Sequence, residues 1–466
     1  MKADKFYLLF ILFLVFTVYI VSPVMISSDS RWCVFTAMSI IKEGNIDLDE
    51  YRQITLREPR HIIIKNGHLY HYYSLGPALV AVPFVYLIDK IFESKFVKNV
   101  YFSGFVKTNM KQYIRKKYIA EFPRFKKYLS RFYPQKPDIS LEKAIDIFPL
   151  TVLTLSPLIE KFIASFLLAV CAALIFLMAR LWLNQKESLC ISLIFSFCTS
   201  AWSVASRGLY AHGPNILMLT IALYIILLAK QKQKFIRFSI FPMILSYLIR
   251  PNIAIILLTI YILIYYRQHA LYFILVWLAV LSAYCLHCLI IYKSILPPYY
   301  YGEAHKLLSG KLFLNAFLGN IISPARGIFI YCPVFIFSVW GAVSKTRQKP
   351  IDRLDIFLII ALILHWTLFS AYRDWQSGWS FGQRYFADML PLFIYFLICF
   401  VSYRLRANTK SNSLVFAAFI VAIVISFLIN FRGATRIETW LWNKFPSQIS
   451  NNSIRLWDWG DLPFFR

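Results

Sequence analysis

Long apolar segments alternate with short polar connections along most of the chain, from Phe6 to Asn430. Many of these segments approach the ~20 residues that an α-helix needs to cross a bilayer. The pattern predicts an all-α, polytopic membrane protein with about 11 transmembrane helices. The predicted spans are 6–26, 160–182, 187–204, 209–229, 236–250, 252–266, 270–292, 326–344, 354–372, 386–403 and 413–430.

The region between the first two predicted spans, 27–159, is predicted to form one large extracytoplasmic loop. Its apolar segment Gly76–Phe92 is short and is interrupted by two prolines and an aspartate, so we interpret it as a juxtamembrane helix in the outer interface. An alternative topology makes Gly76–Phe92 and Ile145–Leu158 true crossings. That alternative places the basic insert 95–143 in the cytoplasm.

Composition and charge narrow the class of protein. The chain is 59% hydrophobic and 16% charged, whereas soluble chains have roughly a quarter of their residues charged. This excludes a soluble enzyme, a disordered chain and a secreted disulfide scaffold. The 50 Lys and Arg exceed the 23 Asp and Glu, and much of this basic charge flanks apolar segments. Anionic membrane lipids are therefore the expected partner of this charge, and no nucleic acid is expected.

Basic residues concentrate in alternate connections, which predicts the orientation of the chain. The apolar stretch Phe6–Val24 is too long for a cleavable signal peptide and is expected to remain as a helix. Because cytoplasmic loops are rich in Lys and Arg, the N-terminus is predicted inside and the tail 431–466 outside. The predicted cytoplasmic connections are Arg180–Lys186, Lys230–Arg237, Arg267–His269, Lys345–Arg353 and Arg404–Lys410.

The first candidate for chemistry is Asp29, in the polar run that follows the first predicted span. A carboxylate at the water interface suits a general base that acts on a lipid-borne substrate. The alternative is a structural role, because Asp or Ser before the helical pattern Trp32–Lys42, which Gly44 closes, is a good N-cap.

A second candidate is the acidic segment that contains Asp47 and Asp49. Carboxylates at this spacing can hold a divalent cation through oxygen ligands. Solvated loop acids are the commoner interpretation. The nearby imidazoles, which match no zinc signature, are those of His61, His68 and His71.

Arginines at the ends of predicted spans form a third group. Their side chains suit bidentate contact with phosphate, and charged residues at membrane depth are often functional. The alternative is snorkelling to the interface or a local ion pair. The four residues are Arg207, Arg250, Arg326 and Arg384.

The fourth group is the segment 372–379, which includes Asp374, Trp375 and Trp379. Aromatic faces beside polar side chains are typical of carbohydrate-binding surfaces. Tryptophan and tyrosine also form ordinary belts at the membrane interface, and the residues alone do not decide between the two interpretations.

Taken in order, these segments resemble the GT-C superfamily of integral-membrane glycosyltransferases. The nearest likeness is the bacterial branch related to the lipid A aminoarabinose transferases and the protein O-mannosyltransferases. The resemblance extends over nearly the whole chain in short motifs. They are SSDSRWCVFTAMSIIKEGNIDLDEY, GHLYHYYSLGPALVAVPFVYL, ASRGLYAHGP, LIRPN, SPARGIFIYCPVF, WQSGWSFGQRYFADMLP and RLWDWGDLPFF.

The resemblance implies a single GT-C-like membrane domain over 1–466, with a large first outer loop that carries juxtamembrane helices. It implies a multi-pass protein of the inner (cytoplasmic) membrane with its active site on the extracytoplasmic face. It further implies inverting transfer of a sugar from a polyprenyl-phosphate donor. The acceptor is expected to be a glycolipid, a polysaccharide or a protein.

The resemblance also suggests roles for particular residues. The catalytic carboxylate of the family maps onto Asp29. The juxtamembrane helix of the family commonly opens with the sequence Lys-Pro-Pro or His-Pro-Pro. Here the corresponding segment 74–77 is SLGP, which lacks the lysine. The expected donor-phosphate ligands are Arg384, Arg326 and Arg207. The expected sugar or acceptor contacts are Asp374, Trp375, Trp379, His212 and Tyr72. A divalent metal is an optional cofactor, held by Asp29, Asp47 and Asp49.

The expected mechanism is a single displacement, in which Asp29 accepts a proton from the acceptor hydroxyl and arginine stabilises the departing lipid phosphate. One alternative is a lipid-linked glycan flippase, which would need charged residues along a path through the spans. Spans 252–266 and 413–430 contain no ionisable side chain except tyrosine. Another alternative is a transferase of the O-antigen ligase or polymerase type, which uses a diphosphate donor.

Overall fold

The computed structural model describes residues 2–52, 55, 60–94, 152, 155–300, 313–406, 412–450 and 452–466. These residues are mostly helical, with one two-stranded antiparallel sheet. The basic insert 95–143 lies outside the described residues, as does most of 145–158. The choice between the two topologies of the first loop therefore stays a prediction.

The described α-helices range from 4 to 24 residues, and each of the two described strands has 4 residues. In chain order they are α1 (Lys2–Val21), α2 (Cys33–Lys42), β1 (Ile62–Lys65), β2 (His68–His71), α3 (Gly76–Glu93), α4 (Ser156–Ala179), α5 (Gln185–Phe197), α6 (His212–Ala229), α7 (Ile240–Ile249), α8 (Ile253–Tyr265), α9 (Ala270–Tyr292), α10 (Phe313–Ile322), α11 (Ile328–Tyr331), α12 (Phe335–Thr346), α13 (Arg353–Ser370), α14 (Leu390–Arg406), α15 (Asn412–Thr435) and α16 (Glu438–Leu441).

Seven helices of the described chain are long and apolar enough to cross a membrane: α1, α4, α6, α9, α13, α14 and α15. Four predicted spans correspond instead to shorter helices, namely α5, α7, α8 and α12. Local hydrogen bonds and a proline explain why two of these helices, α5 and α7, are short. The hydroxyls of Ser196 and Thr199 bond to carbonyls four residues earlier at the end of α5, and Pro251 follows the end of α7. A multi-pass helical membrane protein is supported, and the count of 11 spans stays a prediction.

The chain divides into two compact units, which we call the membrane unit (Met1–Ser27 with Lys161–Arg466) and the loop unit (Ser28–Glu160). In the membrane unit, α12 packs along α14 and α8 packs along α13. The N-terminus is held by Asp4, whose carboxylate accepts hydrogen bonds from Arg180 Nε (3.1 Å) and Gln185 Nε2 (3.2 Å). This contact joins α1 to the α4–α5 connection, which the charge pattern predicts on the same side of the membrane.

In the loop unit, α2 packs against α3, and the β1–β2 hairpin pairs Ile62 with His71. α3 forms a helix over the segment predicted to be juxtamembrane, begins with a proline at its first turn and buries one face, and its place at the membrane interface stays a prediction. α2 ends before Gly44, whose φ of +71° suits the end of a helix. The N-cap interpretation of Asp29 is wrong, because α2 begins after Trp32 without a side-chain cap and Asp29 lies in the preceding turn.

Candidate functional site

Two segments of the membrane unit adjoin just before α6 and α14. The guanidinium of Arg207 lies over the Phe381 ring, 5.8 Å from its centre, and that of Arg384 lies over the Tyr210 ring at 5.9 Å. Each segment therefore offers a cation to an aromatic ring of the other, an arrangement that is favourable when the partners are removed from water. Two of the three predicted phosphate-binding arginines are brought together in this way.

A buried carboxylate, Asp388, extends the contact between these segments. Its Oδ1 lies 3.0 Å from His212 Nδ1 and accepts a hydrogen bond of 3.0 Å from Asn215 Nδ2. Its Oδ2 lies 2.9 Å from Nε of Arg250, at the end of α7. Asp388 has no exposed surface, and a carboxylate at such depth is stable only when it is paired and hydrogen-bonded. The predicted sugar contact His212 is thus a partner of Asp388.

Arg250 completes a group that we call the arginine cluster, formed by Arg207, Arg250 and Arg384. The guanidinium of Arg250 lies 5.6 Å from the centre of the Tyr385 ring and 6.0 Å from that of Phe369. Arg384 is near enough to Arg250 for their charges to repel. Within this cluster, Asp388 pairs directly with Arg250.

Arg207 is the least satisfied member of the cluster. It is 3% exposed, and its Nε and Nη2 atoms have no hydrogen-bond partner within the described part of the chain. Burial lowers the pKa of its guanidinium to about 9, because the charge is removed from water. A buried donor without a partner costs free energy that an anionic ligand would recover.

Arg326, the third predicted phosphate ligand, has its donors occupied by the protein. Its Nε donates to the Gln376 carbonyl (2.7 Å), and its Nη2 donates to the Gly378 carbonyl (3.1 Å) and to Asn443 Oδ1 (2.5 Å). Nη1 donates to the carbonyl of Ala325 (2.8 Å), and the side chain is fully buried. In this geometry Arg326 joins the 376–378 loop to the C-terminal tail.

The predicted carbohydrate platform is divided between core and partly exposed positions. Trp375 is 3% exposed and packs in an apolar cluster with Trp442, which accounts for its conformation without any ligand. Trp379 is partly buried and meets Trp440 edge to face, with ring centres 5.4 Å apart. Asp374 is also partly exposed. Of the three residues named for this platform, Asp374 and Trp379 present surface to a sugar and Trp375 does not.

Asp29 lies in a partly exposed turn of the loop unit. Its Oδ1 accepts a hydrogen bond from Ser28 Oγ (3.2 Å), and its backbone carbonyl accepts one from His71 Nε2 (3.0 Å). Burial lowers the pKa of His71 to about 4, so the imidazole is neutral near pH 7 and donates through Nε2. The next residue, Ser30, donates to Glu160 (2.5 Å). The His71 and Ser30 contacts thus anchor the chain at and directly after Asp29.

Tyr72, the remaining predicted sugar contact, directly follows β2 in the loop unit. Its ring meets that of Tyr73 edge to face, with centres 5.5 Å apart, and its backbone N–H donates to the His61 carbonyl (2.8 Å). The side chain is partly exposed. Tyr72 therefore belongs to the same unit as Asp29, and a role in binding sugar stays a prediction.

The predicted metal ligands do not form the expected set. Among the described residues the group that forms is Asp47, Asp49 and His68, without Asp29. Asp49 Oδ1 already accepts hydrogen bonds from Leu69 N (3.0 Å) and Arg52 Nη2 (2.9 Å), and its Oδ2 lies 2.5 Å from His68 Nδ1. A guanidinium at the ligand carboxylate opposes a cation, so these residues do not fit a divalent metal as they are arranged.

Sequence reasoning missed Asp388 as a member of the site. The available signal was an acidic residue within a predicted apolar span, which is by itself a reason to expect function. Asn215 carried no comparable signal, because its partners are distant in the sequence.

Comparison of the chain with protein-family models, with curated proteins and with solved structures gives no match.

Proposed function

We propose that the chain is a membrane glycosyltransferase of the GT-C type, which transfers a sugar from a polyprenyl-phosphate donor to an acceptor hydroxyl with inversion. The observation that carries the proposal is Arg207, a buried arginine whose Nε and Nη2 have no partner among the described residues. The proposal is also supported by the motif resemblance and by the multi-pass helical structure.

The charges around Arg207 favour a phosphate ligand. Arg207 is buried and two of its N–H donors have no partner among the described residues, so an anion beside it would balance its charge. Arginine presents its N–H groups in a planar fork that matches the oxygens of a phosphate. In this proposal Arg207 and Arg384 hold the donor phosphate, and Arg250 is kept in place by Asp388.

The reaction is a single displacement at the anomeric carbon. Asp29 accepts the proton of the acceptor hydroxyl as its oxygen attacks that carbon. The bond between the anomeric carbon and the phosphate oxygen breaks, and the polyprenyl phosphate leaves with the electron pair. Arginine stabilises the charge that develops on the leaving phosphate, which is the differential binding that catalysis requires.

Donor binding tests the phosphate assignment. Undecaprenyl phosphate, which is a leaving group of the proposed type, is titrated into the purified full-length protein in lipid nanodiscs. Arg207→Gln is expected to weaken its binding about 10- to 100-fold, because hydrogen bonds to charged groups are lost. Arg207→Lys, which retains charge without the planar fork, is expected to bind with intermediate affinity.

Arg436→Gln is the matched control, because Arg436 is exposed and directly follows α15, outside the segments that carry the cluster. It is expected to bind undecaprenyl phosphate as the unaltered protein does. Unchanged binding by Arg207→Gln would contradict the phosphate assignment. Transbilayer movement of a lipid-linked glycan without sugar transfer would instead favour the flippase alternative.

A further inference from the structure

A polar cavity lies at the far end of α6, the helix whose first residue lies beside Asp388. α6 begins at His212 beside Asp388, and its 18 residues extend over about 27 Å to Ala229. The cavity at this far end has a volume of about 300 Å³. It is lined by Ala229, Lys230, Gln233, Tyr261, Tyr265, Tyr266, Asp352 and Arg353. We call it the basic pocket.

Two cationic side chains line the basic pocket, and one of them is available to bind an anion. Lys230 forms an ion pair with Asp352, which also caps α13 by accepting a hydrogen bond from Leu354 N (3.1 Å). Arg353, the first residue of α13, is exposed and forms no ion pair or hydrogen bond with the residues that the structure describes. Three tyrosines at the end of α8 add hydroxyl donors.

The connections around the basic pocket are strongly basic. The segment 230–237 contains four Lys and Arg residues and no acid, and Arg267 and His269 follow α8. The charge pattern predicts these two connections on the same side of the membrane as a third, Lys345–Arg353, which reaches the pocket through Arg353. The electrostatic environment therefore favours an anion over a neutral or cationic ligand.

An apolar stripe leads along α8 to the basic pocket. Ile256, Ile260 and Ile264 follow one another at four-residue spacing, so they share one face of the helix. Their exposed fractions are 51%, 40% and 44%, and Tyr265 at the pocket is 45% exposed. A ligand with an anionic head and an aliphatic chain would cover both features, whereas a soluble phosphate would leave the stripe uncovered.

We propose that the basic pocket binds an anionic phospholipid. Arg353 and the tyrosine hydroxyls bind the phosphate diester, and one acyl chain lies along the isoleucine stripe of α8. Arginine and hydroxyl donors suit a phosphate, and basic pockets between transmembrane helices are typical sites for anionic headgroups. This proposal does not depend on the glycosyltransferase assignment, because it concerns the other end of α6.

Native mass spectrometry of the delipidated full-length protein in detergent tests the proposal. Phosphatidylglycerol and phosphatidylcholine with the same acyl chains are added in separate titrations. Phosphatidylglycerol is expected to be retained about 10-fold better, since it carries net negative charge. Arg353→Gln is expected to reduce this retention about 10-fold. Tyr265→Phe, which removes one exposed hydroxyl, is expected to reduce it by a smaller factor.

Arg347→Gln is the matched control, because it removes the same charge from the same connection at an exposed position outside the pocket. Full retention of phosphatidylglycerol by Arg347→Gln, with loss in Arg353→Gln, supports the site. Equal loss in both variants would overturn it in favour of general surface charge, as would equal retention of the two lipids. Displacement of phosphatidylglycerol by an equal concentration of glycerol phosphate would overturn the lipid assignment.

Discussion

Two buried arginines of the membrane unit use their side chains differently. All the nitrogens of Arg326 donate to the protein, including one to Asn443, which lies 117 residues away in the sequence. Arg207 is nearly as buried, but its Nε and Nη2 lack such acceptors among the described residues. A buried donor without a partner is costly, so Arg207 is the better candidate for a ligand contact.

At the residue scale, the stability of the loop unit is expected to depend on pH through His71. Its pKa falls to about 4 in the folded protein because it is buried, with the charge of His61 adding to the effect and Asp29 opposing it. The unfolded chain has an ordinary histidine pKa near 6.5. The contribution of His71 is therefore complete above pH 6.5, and it is lost by up to about 1.4 kcal/mol per pH unit as pH falls toward 4.

The variant His71→Gln separates the contribution of His71 to the pH dependence of stability from the contributions of other titrating groups. It cannot bind a proton in this range, whereas its amide can still donate to the Asp29 carbonyl. Thermal unfolding of both proteins at pH 7.5, 6 and 4.5 is expected to show a shallower loss of stability in the variant. Parallel pH profiles for the two proteins would show that His71 does not titrate as the buried geometry requires.

The local sequences around Arg207 and Arg326 are too similar to distinguish the roles of these two arginines. Both are followed directly by glycine, as SRG and as ARG, and both lie at the ends of predicted spans. Their difference comes from Asn443 and from the carbonyls of Gln376 and Gly378, which only the folded chain brings to Arg326. Candidate residue types could be predicted from the sequence, but their hydrogen-bond partners could not.

At the scale of elements, Gly341 permits the close approach of α12 and α14. A Cβ atom at this position would overlap the backbone carbonyl oxygen of Phe396, so even alanine does not fit without a shift of one helix. Small residues at such contacts are typical of membrane helices. Gly341→Ala is therefore expected to lower the thermal unfolding temperature in detergent, although alanine favours an isolated helix by about 1 kcal/mol.

The direction in which Gly341→Ala shifts the unfolding temperature distinguishes packing from intrinsic helix propensity. Val339→Ala, on the exposed face of the same helix, is the control and is expected to have little effect. If Gly341→Ala raised the unfolding temperature, intrinsic helix propensity would outweigh packing, and the close contact of α12 with α14 would be contradicted.

Apolar periodicity predicts the long helices because a membrane-spanning helix needs a continuous run of about 20 apolar residues. It does not predict where such a run is interrupted. The predicted span 187–204 is a case in point: α5 ends at Phe197, and residues Ala201–Ala205 form a π-helical turn. Serine and threonine hydroxyls compete for backbone carbonyls there, a local effect that apolar counting does not include.

At the scale of the whole molecule, the membrane unit carries different chemistry at the two ends of α6. The arginine cluster and Asp388 lie at its start, and the basic pocket lies at its end. The alternation of basic connections along the sequence predicts such a separation, because Lys and Arg concentrate on the cytoplasmic side. The clustering around Asp388 was not predictable, since it combines residues from α6, α7 and the segment before α14.

The central claim is that Asp29 accepts the proton during sugar transfer. Mass spectrometry of envelope glycolipids and glycoproteins is carried out on cells that express the unaltered chain, Asp29→Asn or Asp47→Asn at matched protein levels. A sugar-sized mass addition is expected with the unaltered chain and with Asp47→Asn, while Asp29→Asn is expected to reduce its rate of formation about 100- to 10,000-fold. Transfer by Asp29→Asn at the rate of the unaltered chain would contradict the account.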